Sequence, residues 1–502
     1  MAHLFKNNPR FTTRFLLTTR SPFGFTHKCI DIALRFSILG RVDEAVEILE
    51  LADEYVPLAS RYVHDPGLYF AFQAADWWPD FTPDEDMHDE NLMRRLEVNS
   101  VGIRYGQLFL DYRRDVKSLE RDTRDLKRVI EWVTGIAKAY GFGRIGDFVF
   151  TEPEGEVEKG GVPGISMPFD SAVLFGLHLA LKLDDDEALD TLIQIIRSDI
   201  ERFLGRLARY RFVWRVLVKG VLGPDDEEGK AEITAEFERI KGAIKLRLRN
   251  GVEYPFLDHS MRDLVKILDE NTIRRGGPPG QEVRPKIDGK PSIRHPGATQ
   301  KMIDDLEEKL DVELPDDYIE FLKISNGMEG IWNGYFRQRF LAPCADVKNS
   351  PLKIDDEPPL LFSLIPYTEL PNSFNPIWPR LNLGSCVMLN IEGRGDFLWL
   401  VNGEMMKKAR KRLVRKWEEM AEGKEKKWVE RVVGDLFGGM EELVEQGEDE
   451  EDWGVVYWDR AGLPVEVWGS FREWIEGLCV ESEFPDIFEE RREESAIGAR
   501  ED

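Results

Sequence analysis

Histidines, cysteines and paired carboxylates are the residues with which this sequence could do chemistry, and their placement argues against it. All seven histidines lie at or before His295. The last two fifths of the chain therefore have no imidazole to serve as base, proton shuttle or metal ligand. His64, His88, His178 and His259 are scattered through the first half and read as surface or satisfied core residues. The four cysteines, Cys29, Cys344, Cys386 and Cys479, form no CxxC pair and have no histidine at ligand spacing. They read as buried, reduced thiols of an intracellular protein. Acid pairs such as Asp316-Asp317 would suit proton transfer, but among 94 acidic residues such pairs arise by chance, and this one suits a helix N-terminus. Gly393-Arg394-Gly395 lacks the longer glycine pattern and following helix that cradle phosphate, and no GxSxG, P-loop, HExxH or kinase set occurs. The expectation is a protein that is not an enzyme, with no catalytic residue, cofactor or metal.

The elements that position these residues belong to a chain of 502 residues, long enough for two main domains at roughly 100–200 residues each. With 42% hydrophobic residues, 13 Trp and 29 Phe, it has ample apolar area to bury. Its formal charge of -26 repels phosphate backbones and anionic lipid heads, so other proteins are the expected partners, with no nucleic acid and no membrane. No run approaches the roughly 18 apolar residues of a membrane span. The expected location is the cytoplasm. The alternative is mitochondrial, because Lys6, Arg10, Arg14, Arg20 and Lys28 precede the first acid, Asp31, as in a presequence.

Residues 1–25 read as a basic arm and 26–273 as a helical domain, since apolar residues there recur mostly at helical spacing. Ile32, Leu34 and Phe36 lead through Gly40 into Ala45, Val46, Ile48 and Leu49, a helix pair with a tight turn. A second pair, from Phe175 to Ile193, repeats it at an offset of 143 residues, with Ala188 in the place of Ala45. Such pairs resemble tetratricopeptide-type repeats, but two are fewer than a free-standing array needs, so an irregular bundle is expected. Further helices are expected over 91–112, 123–140, 187–222 and 232–248. The aromatic run 70–81, with Trp77 and Trp78, reads as core rather than a ligand groove. Residues 274–297, rich in Gly, Pro and basic side chains, read as a linker, and 483–502 as a disordered tail.

In 298–482 the pattern changes. Ile303, Leu306 and Leu310 give an amphipathic helix. Leu314-Pro315 opens a second, with Pro315 at its first position, Asp316-Asp317 at the positive dipole end, Tyr318, Phe321 and Leu322 inward, and Asn326-Gly327 as the stop. Strands follow near 339–344, 361–367, 386–391, 397–401 and 455–458, with turns at 392–395 and 459–462. Ser470 caps a closing helix that carries Phe471 and Trp474. The whole chain is thus of α+β class, an all-helical N-terminal domain followed by helices packed on one small, mainly antiparallel sheet.

The order Ile303-x-x-Leu306-Glu307, Leu314-Pro315-x-x-Tyr318-x-x-Phe321-Leu322, Asn326-Gly327, Gly395-Asp396-Phe397-Leu398-Trp399-Leu400, Gly454-Val455-Val456-Tyr457-Trp458 and Ser470-Phe471-x-x-Trp474-Ile475 resembles the Smi/Knr group of the SUKH superfamily. The resemblance implies a single small sheet with helices on it and a domain that works by gripping other proteins. Members include fungal regulators of cell-wall synthesis and signalling, and bacterial immunity proteins that neutralise toxins. The chain departs from the group in an insert at 404–452, which opens with Lys407, Lys408, Arg410, Lys411, Arg412, Arg415 and Lys416 and ends in the acidic run 448–452. These runs read as solvated faces that partly neutralise each other, with binding of calmodulin, an acidic membrane or RNA as alternatives. The expected function is a cytoplasmic adaptor of the cell-wall regulator type. The alternative is an immunity-type inhibitor of a basic toxin or nuclease.

Overall fold

A computed structural model of the chain describes residues 9–20, 22–55, 65–83, 86–87, 89–100, 119–140, 149–151, 166–200, 203, 207–274, 286–287, 289–332, 337–338, 341–350, 361–362, 381–382, 386–390, 396–437, 439–441, 443, 453–459 and 466–483. The expected turns at 392–395 and 460–462, the acidic run 448–452, the tail beyond 483, and parts of the expected helix at 91–112, linker at 274–297 and strand at 361–367 lie outside them.

The first half is built of helices α1 (Pro9–Thr18), α2 (Pro22–Ile38), α3 (Val42–Tyr55), α4 (Pro66–Ala75), α5 (Glu90–Ser100), α6 (Leu119–Tyr140), α7 (Phe169–Leu183), α8 (Asp186–Ser198), α9 (Trp214–Leu217) and α10 (Glu227–Asn250). A short antiparallel pair, β1 (Val149–Thr151) and β2 (Ser166–Pro168), interrupts them. The two expected helix pairs are α2–α3 and α7–α8. The first turns at Gly40 (φ 77°) and the second at Asp184 (φ 50°), left-handed positions that glycine and, less readily, aspartate tolerate. The Asp185 carboxylate accepts the Ala188 N–H at 3.0 Å and caps α8, and Ala45 and Ala188 are both buried. The described part of the arm is docked, because Leu16 on α1 and Phe25 on α2 have no exposed surface.

The second half contains α11 (Met261–Arg274), β3 (Lys286–Ile287), β4 (Lys290–Pro291), α12 (Gln300–Leu310), α13 (Asp316–Ile324), β5 (Ile331–Trp332), β6 (Arg337–Gln338), β7 (Lys348–Ser350), β8 (Leu361–Phe362), β9 (Leu381–Asn382), β10 (Cys386–Met388), β11 (Asp396–Val401), α14 (Gly403–Glu419), α15 (Lys424–Phe437), β12 (Gly454–Asp459), β13 (Glu466–Trp468) and α16 (Phe471–Glu483). Five strands form one antiparallel sheet in the order β13-β12-β11-β10-β7. Trp399 lies opposite Met388 on β10 and Val456 on β12, and Leu400 lies opposite Val387 and Val455. Side chains alternate across a pleat. Val387, Leu389, Leu398, Leu400, Val455 and Tyr457 therefore share one face and join the core of α12, α13 and α16. Cys386, Met388, Trp399, Val401, Val456 and Val467 share the other, which joins the core of the first half.

Where the halves join, two placements differ from the sequence expectation. Helix α11, expected with the helical half, buries Met261, Leu264, Val265 and Leu268 in the core under the sheet's first face. Periodicity shows that a helix has an apolar face but not what covers it. Residues 290–297, expected as linker, are fastened to that core. The Asp269 carboxylate of α11 accepts from Ser292 Oγ (2.9 Å), Ile293 N (2.8 Å) and Arg294 Nε (2.8 Å). A Cβ on Gly297 would stand 2.1 Å from the Lys323 carbonyl oxygen, so glycine alone permits that approach.

Candidate functional site

The motif residues build the second core. Ile303 and Leu306 of α12, Leu314, Tyr318, Phe321 and Leu322 around α13, and Phe471 and Trp474 of α16 are all buried. Phe471 is the hub, with ring centroids 4.9 Å from Tyr318, 5.2 Å from Phe321 and 5.5 Å from Trp474. The polar members close turns. The Glu307 carboxylate accepts the Leu314 N–H at 2.8 Å and fixes the α12–α13 loop. Asn326 Oδ1 accepts the Cys344 N–H at 2.8 Å, and Gly327 takes φ 87° beside the Leu341 carbonyl. Pro315 sits one position earlier than expected, just before the helix, where its carbonyl accepts the N–H groups of Tyr318 and Ile319 at 3.0 Å each.

Asp317 does more than face a dipole. Its carboxylate accepts the Arg472 N–H of α16 at 2.8 Å, tying the start of one helix to the start of another. Burial pushes its pKa above the ordinary value even though backbone N–H groups pull the other way. At α16, Ser470 Oγ accepts the Glu473 N–H (3.1 Å) while Glu473 accepts the Gly469 N–H (3.1 Å), a variant of the capping box.

Residues outside the motif fasten the halves together. Arg247 of α10 and Asp435 of α15 form an ion pair at 3.0 Å, with side chains only 0% and 2% exposed. The Tyr55 hydroxyl, at the end of α3, accepts from Arg247 at 2.9 Å and donates to Asp435. Asp435 also accepts the Val252 N–H (3.1 Å), and its carbonyl accepts from the Tyr254 hydroxyl (2.8 Å). Arg247 donates in addition to the carbonyls of Leu16 (3.3 Å) and Leu17 (3.1 Å). Burial pushes the Tyr55 phenol far up, with Arg247 opposing and Asp435 adding to the shift. One buried pair thus gathers α1, α3, α10, the segment after it, and the insert. Close by, Arg20 pairs with Glu473 (2.8 Å) and Glu476 (3.6 Å) of α16, and lies over the rings of Tyr254 (4.5 Å) and Trp468 (5.4 Å). Sequence reading missed both devices. The signal was present: Arg247 follows Ile240 and Ile244, and Asp435 follows Val432, each a charge in step with an apolar stripe.

The insert is therefore structural on one side. Met406, Ala409 and Leu413 of α14, and Trp428, Val429, Val432, Val433 and Phe437 of α15, are buried in the core that also holds the sheet's second face and the helical half. Among the described residues no cluster of His, Cys, Asp or Glu is placed to hold a metal ion, and no helix is long and apolar enough to cross a membrane.

Two helices, a five-stranded antiparallel sheet and a closing helix around one aromatic hub define the class of the C-terminal region, an α+β domain with its sheet buried on both faces. Residues 297–477 match the model of the SMI1 / KNR4 family (SUKH-1), which supports placing this region in the SUKH superfamily. The first 296 residues lie outside that match. Searches of curated proteins and of solved structures returned no match.

Proposed function

We propose that the chain is a non-enzymatic, cytoplasmic, protein-binding regulator of the Smi/Knr type, acting in the cell-wall synthesis and signalling branch of that group. The observation that carries this reading is the SUKH-1 match over 297–477. The use made of the site residues agrees with it. Asp317, Glu307, Arg247 and Asp435 each satisfy a backbone group, an ion pair or both, and such roles serve to hold a shape. Because the sheet's second face is built into the helical half, partners meet the outer helical and loop surfaces of a composite body. The test is affinity purification of the tagged, intact chain from its own host under physiological salt. Recovery of components of wall synthesis or its signalling supports the reading; a soluble, folded chain that recovers no protein refutes it.

The charge of -26 favours a second reading, an immunity-type inhibitor whose acidic surface occupies the anion site of a basic toxin or nuclease. A salt-sensitive, inhibitory complex with a basic nuclease would select this reading over the first.

A further inference from the structure

The exposed face of α14 is the strongly basic stripe that the sequence singled out, and the packing of the core does not use it. The helix carries seven basic and three acidic residues. Its buried side is Met406, Ala409, Arg410 and Leu413. Lys408, Lys411, Arg412 and Arg415 repeat the same spacing two residues later, about 200° round the helix, and are exposed. The side chains of Lys408 and Arg415 are 55% and 72% exposed. Beyond the C-terminal end of the stripe Lys426 of α15 lies 4.6 Å from the Trp417 ring and pairs with Glu422 at 2.7 Å, so it adds no free charge to the stripe.

Like charges four residues apart, as in Lys407/Lys411, Lys408/Arg412, Lys411/Arg415 and Arg412/Lys416, work against a helix. The core does not require them, since packing uses the opposite side. Two acids that meet the stripe, Glu404 beside Lys408 and Glu419 beside Arg415, are exposed i,i+4 partners. Such pairs are weak and exchange readily for a better-placed carboxylate.

We infer that this stripe is the docking surface for an acidic, extended segment of a partner protein, a deduction that rests on the protein-binding function proposed above. Length favours a peptide over a polyanion. Lys408 to Arg415 spans about 10 Å of helix, close to the Debye length of about 8 Å at physiological salt. Three or four extended residues at about 3.3 Å each cover it. A nucleic acid or an anionic bilayer would run past the stripe onto a chain whose net charge is -26, where further contact is repulsive.

The test is fluorescence anisotropy of a labelled hexaglutamate peptide with the intact chain, against Lys411→Glu/Arg412→Glu/Arg415→Glu. Circular dichroism and the melting temperature serve as the check that the variant folds. The expected result is salt-sensitive binding, weakened at least about tenfold in the triple reversal and less in the corresponding Gln variant, where repulsion is absent but attraction is lost. Equal binding by wild type and triple reversal overturns the assignment. So does tighter binding of single-stranded RNA or of phosphatidylserine vesicles through the same residues. Peptide binding that emerges only after residues 448–452 are neutralised also overturns it, by giving the stripe to the chain's own acidic run. If a host partner of the intact chain stays bound to the triple reversal, the surface is wrong and the protein-binding function stands; if the intact chain recovers no host partner, that function fails too.

Discussion

Removing the Asp435 carboxylate is expected to cost about 3–5 kcal/mol, the range for breaking a buried ion pair from one side. In Asp435→Ala the Arg247 guanidinium keeps its charge in a site where it is 0% exposed. The Val252 N–H and the Tyr55 hydroxyl lose their acceptor. Orphaned buried groups cost about 1–3 kcal/mol each, but these share partners, so their costs fall inside the same figure rather than adding to it. An unfolding entropy of about 2.1 cal/mol/K per residue over roughly 500 residues gives about 1 kcal/mol/K, hence a fall of about 3–5 °C if the protein melts as one unit. If the insert undocks first, an earlier transition separates from the main one. Calorimetry distinguishes the two, and hydrogen exchange should rise in residues 247–254 and in the C-terminal turn of α3. Asp435→Asn, which keeps an acceptor for Val252, is expected to lose less. Arg247→Met/Asp435→Leu should recover part of the loss, because no uncompensated charge remains. Melting within about 1 °C of wild type, with unchanged exchange at 247–254, would refute the view that this pair fastens the halves.

Gly297→Ala should lower stability by about 1–3 kcal/mol in urea unfolding, since its Cβ must displace backbone rather than a flexible side chain. Arg20→Ala should cost about 1–3 kcal/mol, because it strips a cation from two rings and leaves Glu473 and Glu476 facing each other; wild-type stability in the variant would make the arm dispensable, as a cleaved presequence must be. For Asp317 the sign follows from its raised pKa. The folded state holds the proton more tightly than the unfolded one, so its contribution is most favourable below the ordinary value of 3.8 and declines as pH rises through the folded pKa. Asp317→Asn, which still offers an oxygen to Arg472, should gain on wild type as pH is raised from about 4 to 7. A wild type that instead loses ground on acidification would mean that the backbone hydrogen bonds outweigh desolvation.

The C-terminal fold was legible because its signals are local. Ile303, Leu306 and Leu310 mark one helix by spacing, Leu314-Pro315 and Asn326-Gly327 bracket the next, and the resulting elements lie where the residues indicate. What was not legible is which surfaces meet. The strand Phe397-Leu398-Trp399-Leu400-Val401 has no polar alternation, and an unbroken apolar run is the mark of a sheet buried on both faces. The expectation of helices on a single sheet accounted for one face only. Edge strand β7, with the sequence Lys-Asn-Ser, has no strand signal at all and owes its conformation to pairing with β10. Arg247 and Asp435 stand 188 residues apart, and each breaks a local pattern whose explanation lies on another element.

The boundary of the family match is therefore not the boundary of the folding unit. A fragment of residues 297–483 would contain every residue of the motif, yet it would lack Met261, Leu264, Val265 and Leu268 of α11, which are all fully buried. At about 1.5–3 kcal/mol for each buried side chain, that is roughly 6–12 kcal/mol, comparable with the whole stability of an ordinary domain, about 5–15 kcal/mol. The same cut removes Arg247 from Asp435 and the helical half from the core that holds Trp399 and Val456. The fragment should bind a hydrophobic dye and lose the near-ultraviolet dichroism that its packed Trp and Phe rings give the intact chain. Extending it to residue 252 should restore cooperative unfolding only in part, because α11 returns but Arg247 does not. If residues 297–483 alone unfold cooperatively with the intact chain's aromatic signature, then α11 and the helical half only lean on a self-sufficient domain, and the joint core is incidental to its fold.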